Sequence, residues 1–230
     1  MSFIWLRLAS VLQSWGDETP GYSVRSTGSM PTFSGVLGLL CSCLGISFRN
    51  DLEKVKKLRD SILIDIYIVS KGKHLSDFQG AGGGIISKRE NKKNPLTEKE
   101  KYENRCLPKG ASPRTGKIYS KDYLQDAKFD AVLRISDQEM AKTLIEKIQN
   151  PMWCPFLGRK ANLLTEIPFG GAFFNDNELK EAWEKEGRKH TRTCLVHSTQ
   201  DTLGSFPLKD FPLCLGDNCT TFRYALEKEV

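Results

Sequence analysis

The chain has 230 residues, 39% of them hydrophobic and 27% charged, enough apolar material for a core in one large domain or two small ones. That balance is the one expected of a folded globular protein, and no run reaches the roughly 18 apolar residues that a membrane span needs; Phe3-Ile4-Trp5-Leu6 is far too short. The net charge of +6 is a modest excess, which by itself does not separate nucleic-acid binders from ordinary enzymes.

Ser2 to Val11 reads as a buried strand, aromatic and branched and interrupted by Arg7. Gln13 to Thr32 is polar, carries Gly16, Pro20, Gly21, Gly28 and Pro31, and reads as a long loop of the functional kind. Val36, Leu39, Leu40, Cys43 and Leu44 then recur at helical spacing on one face, with Gly45 as the stop, while Gly35 and Gly38 permit close packing on a sheet or a ligand. Asn50 or Asp51 caps a second helix with Leu52, Val55, Leu58 and Ile62 inward, and Leu63 to Val69 is a strand.

Leu75 to Asp122 breaks this regularity, with a Gly80-Ala-Gly-Gly-Gly84 run, three prolines and almost no apolar periodicity. It reads as a flexible hairpin or arm. Lys128 to Ile135 resumes as a strand and Asp137 to Ile148 as a helix; after Asn150 come turn-rich segments, a helix near Asn177 to Glu186, a strand at Arg192 to His197 and another near Thr220 to Leu226. The order is β-α-β-β-α-β, with Arg192 to His197 as the fourth strand. The expected fold class is α+β, ferredoxin-like as in the RNA-recognition fold, with an inserted arm and a small, irregular C-terminal part. Fold alone does not establish RNA binding, and no RNP-type aromatic motif is present.

Charge is distributed unevenly. Lys71 to Lys121 holds thirteen Lys or Arg against five acids, a net of +8, so the rest of the chain carries −2 of the total of +6. Such a segment either tracks a polyanion or is a solvated loop. The seven cysteines are odd in number, lack CxxC spacing and follow nothing that reads as a secretory signal. The expectation is reduced, mostly buried thiols in a cytoplasmic protein, with no metal and no cofactor. Only three histidines exist, at 74, 190 and 197, and neither a metal-binding HExxH nor a P-loop occurs, so an enzyme reading has little to stand on.

The loop from Gln13 feeds a helix start rich in Ser, Thr and Gly, where free backbone N–H groups and the helix dipole favour a phosphate. Arg25, Thr27, Thr32 and Ser34 can place donors there, and Arg159-Lys160 offers a second charged turn. Trp15 either stacks a base or packs under the loop. Gln79, Arg114 and Lys117 flank the arm and can hold a nucleotide where it leaves the domain.

Four stretches, Leu6-Arg-Leu-Ala-Ser-Val-Leu-Gln-Ser-Trp-Gly16, Arg25-Ser-Thr-Gly-Ser-Met-Pro-Thr-Phe-Ser-Gly-Val-Leu-Gly-Leu-Leu40, Cys43-Leu-Gly-Ile46 and Pro155-Phe-Leu-Gly-Arg-Lys160, resemble the subtype I-E branch of the Cas-five family of CRISPR-associated proteins. The match is dense over about the first 46 residues and loose in the arm and the last 60. The resemblance implies a ferredoxin-like palm (1–75 and 122–150), a basic thumb (76–121) and a C-terminal part completing the palm (151–230). It further implies a non-catalytic subunit of the antiviral Cascade complex that grips the 5′ handle of a CRISPR RNA (crRNA) and caps the backbone. The handle site would comprise Gln13, Trp15, Gly16, Arg25, Thr27, Gly28, Thr32, Ser34, Gln79, Arg114, Lys117, Arg159 and Lys160. The implied partners are the crRNA, the CasC backbone subunit, the large CasA subunit, CasB and CasE, with target DNA met through the complex. A subtype I-C cousin cleaves repeat RNA with Tyr, Lys and His; here Lys117 is followed by Ile118, and Gly45-Ile-Ser47 lacks the Tyr. Metal-independent endoribonuclease activity is the alternative.

Overall fold

In the computed structural model, residues 1–16, 24–81, 117–198, 206–209 and 222–229 are described. They divide into two units. The first comprises Met1–Glu18, Thr27–His74 and Leu124–Val230, and the second Thr19–Ser26 and Leu75–Tyr123.

The first unit is built on a seven-stranded sheet. Strand β1 (Ser2–Ala9) lies between β7 (Lys128–Ile135) and β8 (Phe169–Phe173), both antiparallel to it. On the far side of β7 comes β4 (Ile62–Ser70), followed by β9 (Thr191–Ser198), β11 (Phe222–Glu229) and β10 (Phe206–Lys209). β7 is the central strand of the core, with Leu133 opposite Ile4 on one side and Ile64 on the other. The short β2 (Leu12–Gln13) pairs with the end of β6 (Lys117–Gln125), placing Gln13 opposite Leu124.

Strand alternation sorts the side chains onto two faces. Ile4, Leu6 and Leu8 of β1, Ile64 and Ile66 of β4 and Phe129, Ala131 and Leu133 of β7 share one core with α1 (Phe33–Leu44), α2 (Leu52–Ser61) and α3 (Gln138–Gln149). Each fully buried Leu or Ile here contributes about 1.5 to 3 kcal/mol. On the other face Trp5 and Val132 meet Leu179 and Trp183 of α4 (Asp176–Lys185).

The helices start and stop for local reasons. Thr32 caps α1 by accepting the Gly35 N–H at 3.2 Å, and Gly45 ends it in the left-handed region at φ 69°. Asp137 caps α3 through the N–H groups of Glu139 and Met140. Asp51 precedes α2 without capping it; its carboxylate accepts the Ser47 N–H and pairs with Lys54, which holds its pKa below the ordinary value.

Two expectations are corrected. The strand beside β1 after α3 is Phe169–Phe173, not Arg192–His197, which joins the sheet along β4. The second half is also less irregular than expected, since β9, β10 and β11 extend the same sheet. In the second unit, β6 is flanked by β5 (Lys73–Ala81) and, in parallel, by β3 (Val24–Arg25). The base of the arm is therefore paired strand, while the run from 82 to 116 lies outside the described residues.

Candidate nucleic-acid interface

At the entrance to α1, two sequence segments are laced together by short polar contacts. The Trp15 N–H donates to Thr27 Oγ1 at 2.8 Å, the Thr27 hydroxyl donates to the Gly28 carbonyl, and the Gly28 N–H donates back to the Trp15 carbonyl at 3.0 Å. Thr27 and Gly28 thus fix the loop's return, and Gly28 approaches the Gly16 carbonyl closely enough that a Cβ would stand 3.1 Å from it.

Below this lacing lies Gln13, which is fully buried. Its Nε2 donates to the Ala127 carbonyl at 2.7 Å and the Leu8 carbonyl at 3.2 Å, and its Oε1 accepts the Trp15 indole N–H at 3.1 Å. Trp15 is 1% exposed, and its ring fills the space under Gly35, where a Cβ would come within 2.9 Å of it. The side-chain amide of Gln13 and the indole N–H are thus engaged inside the fold, and Trp15 packs under the loop, the second of the two alternatives its sequence context left open.

The second charged turn is fastened to the same loop. The Ser14 N–H donates to the Leu157 carbonyl at 3.2 Å, and Gly158, at φ 85°, lies so close to Ser14 that a Cβ would stand 1.5 Å from its carbonyl oxygen. Asn162, 3% exposed, closes the turn by donating from Nδ2 to the Leu157 carbonyl at 3.0 Å, while its backbone N–H reaches the Arg159 carbonyl at 2.8 Å. Arg159 is partly buried and Lys160 exposed on that turn. Ser34 stands in the first turn of α1 with its hydroxyl 3.4 Å from that of Thr32, and no acidic residue occupies that turn. Thus Gly16, Thr27, Gly28, Thr32, Ser34, Arg159 and Lys160 belong to one unit and one set of linked loops.

Arg25 and Gln79 belong to the second unit. Arg25 is exposed on β3 in register with Lys121 of β6, and Lys121 Nζ donates to Gln79 Oε1. Gln79 donates in turn to Asp77 Oδ2 at 2.6 Å. The sheet brings these groups to one face, and Lys121 is the member that sequence reading left out of the site. Only the strand register could reveal it. Arg114 and the side chain of Lys117 lie outside the described residues.

A groove of about 410 Å³ on the solvent side of α1 was likewise not expected; Phe48, Trp153, Phe156 and Lys160 are among its lining. His190 precedes β9, and its Nε2 lies 2.7 Å from the buried carboxylate of Asp130. The side chain of His197 lies outside the described residues, and His74 lies at the start of β5. Among the described residues, no cluster of His, Cys, Asp and Glu is arranged to hold a metal, and no helix is long and apolar enough to cross a membrane.

Comparison with known proteins adds an independent line. The "CRISPR system Cascade subunit CasD" of Escherichia coli (strain K12) is 32% identical over 172 residues, covering 74% of this chain and 70% of that protein. A solved chain described as "CRISPR RNA-guided surveillance complex" superposes with a TM-score of 0.66 at 20% identity, covering 99% of this chain and 90% of its own. A second, "Crystal structure of Cas protein", gives a TM-score of 0.61 at 20% identity, covering 99% and 94%. These two likenesses establish a shared fold. Residues 3–208 match the family described as "CRISPR-associated protein (Cas_Cas5)", and the chain belongs to that family.

Proposed function

We propose that this chain is a non-catalytic, crRNA-binding subunit of a Cascade-type surveillance complex, acting in the cytoplasm and holding the 5′ handle of the guide at one end of the backbone. The observation that carries the reading is the joining of the Ser14 loop, the α1 entrance and the Arg159-Lys160 turn. These three motifs are distant in sequence and are tied together by the Leu157 and Gly158 contacts to Ser14 and by the hydrogen bonds between Trp15 and the Thr27-Gly28 return of the loop. Backbone N–H groups, hydroxyls and two cations in one place are what recognition of an RNA backbone requires. Kinship with the Escherichia coli Cascade subunit supports the same reading.

In this account β1, β4, β7 and β8, in the order β8-β1-β7-β4 with α1 to α3 on one face, form a ferredoxin-like palm. Residues 76–121 are the thumb, and residues 151–230 complete the palm. The polar face formed by Arg25, Lys121 and Gln79 contributes phosphate contacts from the base of the thumb. CasC-like and CasA-like subunits are the expected neighbours, with CasB-like and CasE-like subunits in the same assembly. Target DNA is then met through the complex.

The non-catalytic part is supported by His190. A metal-independent nuclease needs a positioned acid and base, and the His190 ring is instead held by Asp130 among Tyr67 and Trp183. Reconstitution with backbone subunits and a repeat-derived RNA tests the proposal: intact crRNA should copurify with the complex. An assembly lacking RNA, or RNA cut by this chain in EDTA, would refute it.

A further inference from the structure

The groove on α1 has a floor made of Ser34, Gly38 and Ser42, which follow one another at every fourth position and so share a helix face. Phe48 stands beside Gly38. Trp153 stands by Ser42, where its N–H donates to the Ser42 carbonyl at 3.2 Å, and Phe156 completes the aromatic lining. Lys160 is the cation of the lining, and among the described residues no acidic side chain lines the groove. Its volume of about 410 Å³ falls in the range of small-molecule sites.

Gly38 is the position that calls for an explanation. A glycine inside a helix is less favourable than an alanine, because it loses more backbone freedom on folding. At Gly35 the Trp15 ring gives the reason, but at Gly38 an added Cβ would meet, among the described residues, only Phe48 Cε2, at 3.9 Å. The helix therefore leaves a space between aromatic rings that its own packing does not use. An opening lined by Phe48, Trp153 and Phe156, with the Ser34 hydroxyl on its floor, the Ser42 hydroxyl engaged by the Trp153 and Cys154 carbonyls, and Lys160 on its lining suits one ligand class: a flat, polar-edged ring attached to a phosphate.

We infer that this groove seats an unstacked nucleobase of the bound single-stranded RNA, with the adjoining phosphate toward Lys160. The inference rests on the RNA-binding reading above and adds a site to it. Aromatic rings accept the face of any base, so the groove contributes affinity with little dependence on sequence.

Trp153 makes the proposal directly readable. Of the four tryptophans, Trp5, Trp15 and Trp183 are at most 5% exposed, whereas Trp153 is 49% exposed, so a base entering the groove quenches its emission selectively. The experiment titrates the full chain with a mixed-sequence single-stranded RNA at fixed salt, following tryptophan emission and the anisotropy of labelled RNA. Quenching should accompany binding, and Gly38→Leu, which fills the groove, should abolish the quench and weaken binding about tenfold or more, with the thermal midpoint kept. Unchanged affinity in Gly38→Leu, or binding without quenching, overturns the groove assignment and leaves RNA binding standing. No binding by the unaltered chain, alone or in the reconstituted complex, overturns both. If Gly38→Leu fails to fold, Trp153→Ala at an exposed position carries the test: a similar loss is expected, and unchanged affinity overturns the proposal.

Discussion

Gly158 lies against the backbone of Ser14 with no room for a side chain: a Cβ there would stand 1.5 Å from the Ser14 carbonyl oxygen, and the backbone already holds φ at 85°. This contact joins two of the stretches that mark the family and sets where Arg159 and Lys160 emerge. Gly158→Ala should therefore destabilise the chain by more than about 2 kcal/mol, since it combines left-handed strain with a backbone clash. Denaturant unfolding measures this, with Gly38→Ala as a control that should leave stability equal or slightly higher.

Gln13 offers a second stability test. Gln13→Leu keeps the bulk but strands the Ala127 and Leu8 carbonyls and the Trp15 indole N–H, at about 1 to 3 kcal/mol for each buried group left unpaired. Loss of RNA binding in this variant should accompany a lowered unfolding midpoint. Lost binding with an unchanged midpoint would show Gln13 acting on the ligand instead.

The thiols of α1 predict a pH dependence. Burial pushes Cys41 up to about 12, aided by the neighbouring Cys43 thiol, and pushes Cys43 up to about 11, from an ordinary 9.0. Because the folded values are raised, their contribution is fully present below pH 9.0 and is lost as pH climbs through 9.0 toward 11 and 12. Between about pH 8 and pH 10 the wild type should lose stability more steeply than the Cys41→Ala, Cys43→Ala double variant. Alkylation near neutral pH, mapped by mass spectrometry, should label the exposed Cys154 and spare Cys41 and Cys43.

The two arginines should differ in their effect on RNA affinity. Arg159, partly buried on its turn, is expected to cost about 1 to 3 kcal/mol as Arg159→Ala, as for a charge-assisted contact. Arg25 is exposed, and Arg25→Ala should cost at most about 1 kcal/mol, with a shallower salt dependence of binding. Titrations at several salt concentrations separate these outcomes.

The helices of the first unit were legible in the sequence because their signals are local: the spacing of Val36, Leu39, Leu40 and Cys43 with Gly45 as a stop, and Asp137 ahead of α3. β8 was missed because Phe169-Gly-Gly-Ala-Phe reads as a turn. Gly170 is glycine for a long-range reason, since a Cβ would come within 2.4 Å of the Trp5 ring on the neighbouring strand. The candidate site divides in the same way. Thr32 could be read as a cap from its own neighbours, whereas the Ser14–Gly158 contact, the Arg25–Lys121 register and the aromatic lining at Phe48 and Trp153 depend on pairings between distant segments. Trp15 and Gln13 show the converse: a conspicuous motif of ligand-binding residue types that serves as the support beneath the loop.

The central claim, that this chain holds guide RNA without cutting it, is tested most directly by incubating the purified chain with end-labelled repeat-derived RNA in EDTA and resolving both the complex and the RNA length. The account predicts a salt-sensitive complex containing full-length RNA, weakened by Arg159→Ala. A discrete cleavage product, or RNA that fails to bind both the chain and its reconstituted complex, would contradict it.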